Sequence, residues 1–301
     1  MIARLMFAAA ALALTMPAVL HAAPACAAVP AKGRLIQMEH ISVEVVGKGS
    51  PVILIPGLST PRAVWDAFVP GLAAGHSVYL VQVNGFAGED PRGNLKPGVL
   101  AGIVADLHAL VVQEKLKDAA VVGHSLGGLA GLMFAKAHPG DLGRLMVVDA
   151  LPFIGTLFAP NATVAMVEPQ AAGMRDQIIA SYGRPADKAG SEAIATRLAL
   201  KPESRLQVVA WSMATDPRVS GQAMYEDMVT DLRPDLAAIA TPITMVYPWS
   251  TYVPQAQADA LYRGAYASAP HVSFVPIGDA AHFVMLDQPE AFRTALIAFV
   301  K

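Results

Sequence analysis

The 301-residue sequence predicts an α/β protein, a mostly parallel sheet flanked by helices with a helical cap inserted late in the chain. Three observations predict it. Continuous apolar runs of strand length alternate with longer stretches of helical period, which implies right-handed β–α–β crossovers. The alternation is interrupted once, from Leu151 to Ala240, by roughly ninety residues of helical pattern, too long for a structureless loop. Hydrophobic residues make up 54% of the chain and charged residues 15%, enough apolar material for a sizeable core and a composition unlike that of a disordered chain.

The chain begins differently from the rest. Arg4 precedes an apolar run from Leu5 to Leu20, and alanine-rich sequence follows to Ala28, the pattern of a secretory signal peptide. Ala25-Cys26-Ala27 is an A-x-A cleavage site, so residues 1–27 are expected to be removed; a cut after Ala22 is the alternative. The apolar run is shorter than the ~20 residues a bilayer span needs, and no other stretch is long and apolar enough. The expectation is an exported protein, periplasmic or secreted, with no membrane span after signal cleavage. Cys26 is the only cysteine, so the mature chain would hold no disulfide, no thiol nucleophile and no cysteine-ligated metal. A formal net charge of −2 leaves no basic footprint for nucleic acid.

From Arg34 to Val46 β-branched residues alternate loosely with polar ones, as in one or two antiparallel strands at a sheet edge. Pro51 to Ile55 is a continuous apolar run, expected of a strand covered on both faces, and it leads into Pro56-Gly57-Leu58. Pro61 to Ala73 has a helical face (Val64, Trp65, Phe68, Val69). Val78 to Val83 is the next strand, and Val99 to Leu116 a helix with Ile103, Leu107, Leu110 and Val111 as its core face. Ala119 to Val122 and Gly143 to Val148 are further buried strands, the second ending in Asp149. The inserted stretch shows helical patterns at Ala171–Ser181, Glu192–Leu198, Ser204–Met213 and Gly221–Leu232. Its methionines (Met166, Met174, Met213, Met224, Met228) suit either an adaptable apolar underside or the packing of the cap itself. Ile243–Tyr247 and His271–Ile277 are the last strands, with helices at Gln255–Tyr266 and Pro289–Val300. The organisation is therefore a signal peptide (1–27), a core in two parts (28–150 and 241–301) and a cap between them (151–240).

One junction carries chemistry. Gly123-His124-Ser125-Leu126-Gly127 fits G-x-S-x-G and lies between a buried strand and a helical stretch from about Leu126 to Ala137, the context of a nucleophile elbow. Such a turn holds the serine in a strained backbone conformation. The residues two before and two after it are crowded together and must be small, as Gly123 and Gly127 are. The backbone N–H of Leu126, at the helix start, points where an oxyanion would form, and the N–H of Leu58 can partner it. His124, inside the motif, is expected to pack beneath the elbow.

With Pro56-Gly57-Leu58, the elbow and the late Asp279-Ala280-Ala281-His282-Phe283, the chain resembles the α/β-hydrolase fold family from about Arg34 to Lys301. The resemblance implies a nucleophilic serine, Ser125, a late histidine, His282, and an acid between them in sequence. Most members carry that acid after the strand corresponding to Ile243–Tyr247. Here the loop reads Pro248-Trp249-Ser250-Thr251-Tyr252-Val253-Pro254, without a carboxylate. Some members use an acid after the preceding strand, which nominates Asp149; Asp259, or a Ser–His dyad, is the alternative. Asp279 reads as a loop-shaping residue. Phe86, Trp65 and Trp249 either line the site or pack the core. A serine hydroxyl needs an adjacent base, and imidazole titrates in the right range. The reading is an exported serine hydrolase, a carboxylesterase for small to medium apolar esters, that needs no metal or organic cofactor. A cofactor-free perhydrolase, a carbon–carbon bond hydrolase or a non-catalytic ligand-binding homologue are the alternatives.

Overall fold

The computed structural model describes residues 33–301; the expected signal peptide and its cleavage site lie outside them. Arg34–Gln37 (β1) and Ile41–Gly47 (β2) pair antiparallel, and β1 is one edge of the sheet. Ser50–Ile55 (β3) and His76–Val83 (β4) follow, then Ala119–His124 (β5), Leu142–Val148 (β6), Ile243–Trp249 (β7) and Val272–Gly278 (β8). The sheet order is β1-β2-β4-β3-β5-β6-β7-β8, parallel from β4 through to β8.

Periodicity explains why the central strands read as unbroken apolar runs. Ile53 and Ile55 of β3 enter one core with Val121 of β5 and Val147 of β6, while Val52 and Leu54 enter the other with Val122 and Met146. A sheet covered on both faces has no polar side to alternate with. Outside the cap, Val69–Ala73 (α1) helps close one face; Val99–Glu114 (α2) and Leu126–Ala137 (α3) close the other. The expected continuous helix over 61–73 is instead a short turn at Arg62–Trp65 followed by α1, because Pro70 has no N–H to give to Asp66 and is accommodated in the first turn of a new helix.

Between β6 and β7 come Val164–Ile179 (α4), Lys188–Leu198 (α5), Pro202–Ala214 (α6) and Pro217–Val229 (α7). The helix expected from Ala171 begins a full two turns earlier: α4 runs through Pro169, where packing against α7 outweighs the lost hydrogen bond. Gln255–Ala265 (α8), Val284–Asp287 (α9) and Pro289–Val300 (α10) complete the fold, α8 on the α2–α3 face and α10 on the α1 face. Among the described residues no helix is long and apolar enough to cross a membrane.

Candidate active site

β5 ends at His124 and α3 begins at Leu126, so Ser125 alone makes the turn, with φ +53° and ψ −123°. Its N–H is tied to the Val148 carbonyl at 2.9 Å. The neighbours tolerate no side chain. A Cβ on Gly123 would lie 2.1 Å from the Gly127 carbonyl oxygen, and one on Gly127 would lie 2.5 Å from the Ile55 oxygen. Gly57, next to Leu58 in the loop after β3, passes so near that its Cβ would come within 3.1 Å of Ser125 Cβ. Among the described residues the N–H groups of Leu58 and Leu126 donate to no other group.

The loop after β8 delivers His282. It is anchored by the fully buried Asp287, which accepts the N–H of Ala281 at 3.0 Å and, from the cap side, those of Leu200 at 2.9 Å and Lys201 at 3.2 Å. From below, His124 Nε2 lies 2.9 Å from the His282 carbonyl oxygen. A carbonyl can only accept, so Nε2 carries the proton and Nδ1 is bare; Nδ1 is buried and without a partner among the described residues. Burial depresses the His124 pKa to about 3, and the neighbouring His282 pushes it the same way, so His124 is neutral. It sits beneath the elbow.

Asp149 leaves β6 with φ +47°, and its backbone N–H is held by the Val246 carbonyl at 2.8 Å. One carboxylate oxygen accepts from His282 Nδ1 at 2.7 Å, the other from the Tyr262 hydroxyl of α8. Burial pushes the carboxyl up, but the His282 imidazole and the two hydrogen bonds outweigh it and hold the group below the usual carboxylate range. With Nδ1 donating to Asp149, the Nε2 of His282 is left as the acceptor. Ser125 and His282 face the same pocket. Among the described residues Ser125 Oγ makes no hydrogen bond, and contacts of this kind tighten when a substrate is bound.

The other acids named from sequence lie elsewhere. Asp259 accepts from Tyr247 at 2.6 Å, and the Tyr247 ring stacks on Tyr262 at 4.7 Å, so two tyrosines separate it from Asp149. Asp279 turns the loop with φ +52°. Ser250 is buried and accepts the Tyr252 N–H at 3.2 Å.

The pocket has a volume of about 690 Å³. Ser125, Asp149 and His282 line it, Leu151, Ile154 and Leu157 form an apolar wall, and Trp249 at the end of β7 with Ser250, Tyr252 and Val253 of the following loop contribute as well. The cap supplies Arg197, Leu200, Arg205 and Asp227. No methionine of the cap lines it: Met166 is 60% exposed and Met228 buried, so these side chains cover or pack the cap. Trp65 and Phe86 are buried in the core; of the three aromatics considered, only Trp249 reaches the pocket. Tyr262, Arg205 and Asp227 carry no sequence motif, and only the fold brings them here. A second hollow of about 590 Å³ between β8 and α10 is lined by no ionisable group. His108, His138 and Asp141 place their ligand atoms within 4.8 Å of one another, a possible metal cluster, at the far end of α3. That end is about 18 Å of helix away from Ser125.

A family model described as "Alpha/beta hydrolase family" matches residues 52–295. Among curated relatives, a pimeloyl-[acyl-carrier protein] methyl ester esterase of Yersinia enterocolitica is 22% identical over 269 residues, covering 88% of this chain and 98% of that protein. Among solved structures, a thermophilic esterase from Thermogutta terrifontis aligns at TM-score 0.72 and 22% identity, covering 89% of this chain and 98% of that one. A bromoperoxidase from Bacillus anthracis aligns at TM-score 0.71 and 19% identity, covering 86% and 95%.

Proposed function

The chain belongs to the alpha/beta hydrolase family, and from that premise we propose that it is an exported carboxylic ester hydrolase with Ser125 as nucleophile, His282 as general base and acid, and Asp149 as the orienting carboxylate. One observation carries the reading. Ser125 at the elbow and the Asp149–His282 pair, joined at 2.7 Å, open on one largely apolar pocket beside two free backbone N–H groups.

In this mechanism Ser125 Oγ attacks the ester carbonyl while His282 Nε2 takes its proton. The carbonyl oxygen becomes an oxyanion, held by the N–H groups of Leu58 and Leu126. His282, now an imidazolium facing the Asp149 carboxylate, returns the proton to the leaving alcohol. Water then attacks the acyl-serine by the same route and releases the acid. The hydrogen bond from Tyr262 keeps Asp149 ionised and aimed at Nδ1. The apolar wall of Leu151, Ile154 and Leu157 supports small to medium apolar acyl or alcohol groups, and the ester specificity named for the relatives agrees with it.

Labelling with a fluorophosphonate probe, followed by a screen of acyl esters of graded chain length, tests the proposal. Stoichiometric labelling at Ser125 and hydrolysis of short to medium esters are expected. A protein that takes no label and cleaves no ester sinks it. Export is proposed on the Arg4–Ala28 pattern. Intact-mass measurement of periplasmic and culture fractions should find a species lacking its first ~22–27 residues; Met1 retained on the major species would contradict export.

A further inference from the structure

Five acidic residues lie between positions 216 and 235, and four have partners. Asp216 pairs with Arg218 at 2.6 Å, Asp231 with Arg233 at 2.6 Å and Asp235 with Lys136 at 2.8 Å. Glu226 accepts three backbone N–H groups at the start of α2. The fifth, Asp227 on α7, makes no hydrogen bond and no ion pair among the described residues, and it lines the pocket that holds Ser125, Asp149 and His282. Asp227 is half-buried; a carboxyl partly removed from water without a partner carries a cost that an apolar residue at the same place would avoid. A group in this position makes physical sense where a ligand supplies the missing partner.

The charges around the pocket decide what that partner is. Arg197 and Arg205 line the same cavity and disfavour a cationic substrate, while Asp149 and Asp227 disfavour an anionic one. Burial pushes the Asp227 pKa up to about 7, with His282 pulling the other way, so near neutrality both protonation states are populated. A hydroxyl serves both, since it donates to the carboxylate and accepts from the acid. An alkyl group serves neither.

We propose that Asp227 is a substrate-binding carboxyl and that this pocket takes an uncharged ester bearing a hydroxyl group, hydrogen-bonded to Asp227 while the scissile carbonyl lies at Ser125. This rests on the reading of Ser125 and His282 as a hydrolytic pair. Asp227 acts on which ester is held, through the cap, and not on the acyl transfer.

The test uses two matched pairs, methyl β-hydroxybutyrate against methyl butyrate for the acyl side, and β-hydroxyethyl butyrate against propyl butyrate for the alcohol side. The wild-type protein should prefer the hydroxylated member of one pair by about tenfold or more in kcat/KM, the size of one charge-assisted hydrogen bond. In Asp227→Leu the ratio should fall to about one, and in the near-isosteric Asp227→Asn, which keeps a hydrogen-bonding group, to an intermediate value. The readout is a ratio within each variant, so a general loss of rate does not imitate it. Ratios near one for both pairs in the wild type, or a preference that survives Asp227→Leu, would overturn the proposal. Failure to hydrolyse any ester or to take a fluorophosphonate label would remove the hydrolytic reading instead. The subsite is then judged by the affinity of the same four esters for the protein: a tenfold preference for a hydroxylated member sustains it, and parity overturns it.

Discussion

The core and the cap are built on different physics. The central strands of the core bury side chains on both faces, in two apolar clusters. The cap is more unevenly buried: Ala195 is the one buried side chain of α5, and Met166, Ile194 and Leu206 stand largely exposed, while Val208 and Val209 of α6 and Val219 and Ala223 of α7 join the two core clusters. Near the site, polar ties add to that packing. Glu226 accepts the N–H groups of Gly98, Val99 and Leu100, Thr215 accepts that of Ala87, and Asp287 reaches up to Leu200 and Lys201. Strain divides the same way. Ser125, Asp149 and Asp279, just past the ends of β5, β6 and β8, all sit in left-handed backbone, where a residue with a side chain costs of order 1–3 kcal/mol. Rigid sheet packing holds such residues in place; no non-glycine residue of the described cap has a positive φ, and its more exposed helices can adapt to a ligand. The difference teaches where reaction and fit should be sought: rate in the core, selectivity in the cap.

The sharpest way to break that division is at the elbow. Ser125→Ala should lower kcat by on the order of 10⁶ and abolish probe labelling, with an unchanged melting temperature. A variant that kept a tenth of the activity would remove the core from the chemistry.

The next effect is at the carboxylate. Asp149→Asn presents an amide to His282 Nδ1, favours the wrong tautomer and should cost roughly 10³–10⁴ in kcat. Asp259→Asn, two tyrosines removed from the pair, should leave kcat within a few fold. Near-normal turnover in folded Asp149→Asn, or a large loss in Asp259→Asn, would reassign the acid.

A third measurement addresses stability beneath the elbow. His124 in the folded protein takes up a proton only near pH 3, whereas unfolded histidine does so near 6.5. Between these values the unfolded chain holds more protons, so stability falls as pH drops from about 6.5 towards 3. The contribution is at most a few kcal/mol, and His124→Gln should flatten that slope in urea midpoints measured from pH 7 to pH 4. An unaltered slope would show that the acid sensitivity arises elsewhere.

The smallest effect belongs to the cap ties. Glu226→Ala orphans three N–H groups at the start of α2 and should cost about 2 kcal/mol, a fall of roughly 4–8 °C in melting temperature. The rate on a small unselective ester should stay within a few fold. A loss of kcat as large as that of Asp149→Asn would mean that the cap takes part in the reaction and would end the division proposed here.

The sequence by itself determined the pieces whose physics is local. Unbroken apolar runs of strand length could only be strands buried on both faces, and the small residues around Ser125 follow from crowding within a single turn. α3 occupies the helical stretch expected after the elbow, and α10 the one expected at the chain end. Even there, local rules failed where packing opposed them: Pro70 split a helix that its apolar face predicted, and Pro169 did not stop α4. The tertiary structure decided everything that depends on meeting across the chain. It set Asp149 against His282 across 133 residues and Tyr262 against Asp149 across 113, while Asp259 went to Tyr247. It also left Asp227 in the pocket while its neighbour Glu226 was spent on α2. Two adjacent acids on one helix are indistinguishable in sequence. Helical geometry sets successive side chains about 100° apart, and only the surroundings decide which of them meets a backbone and which faces the pocket.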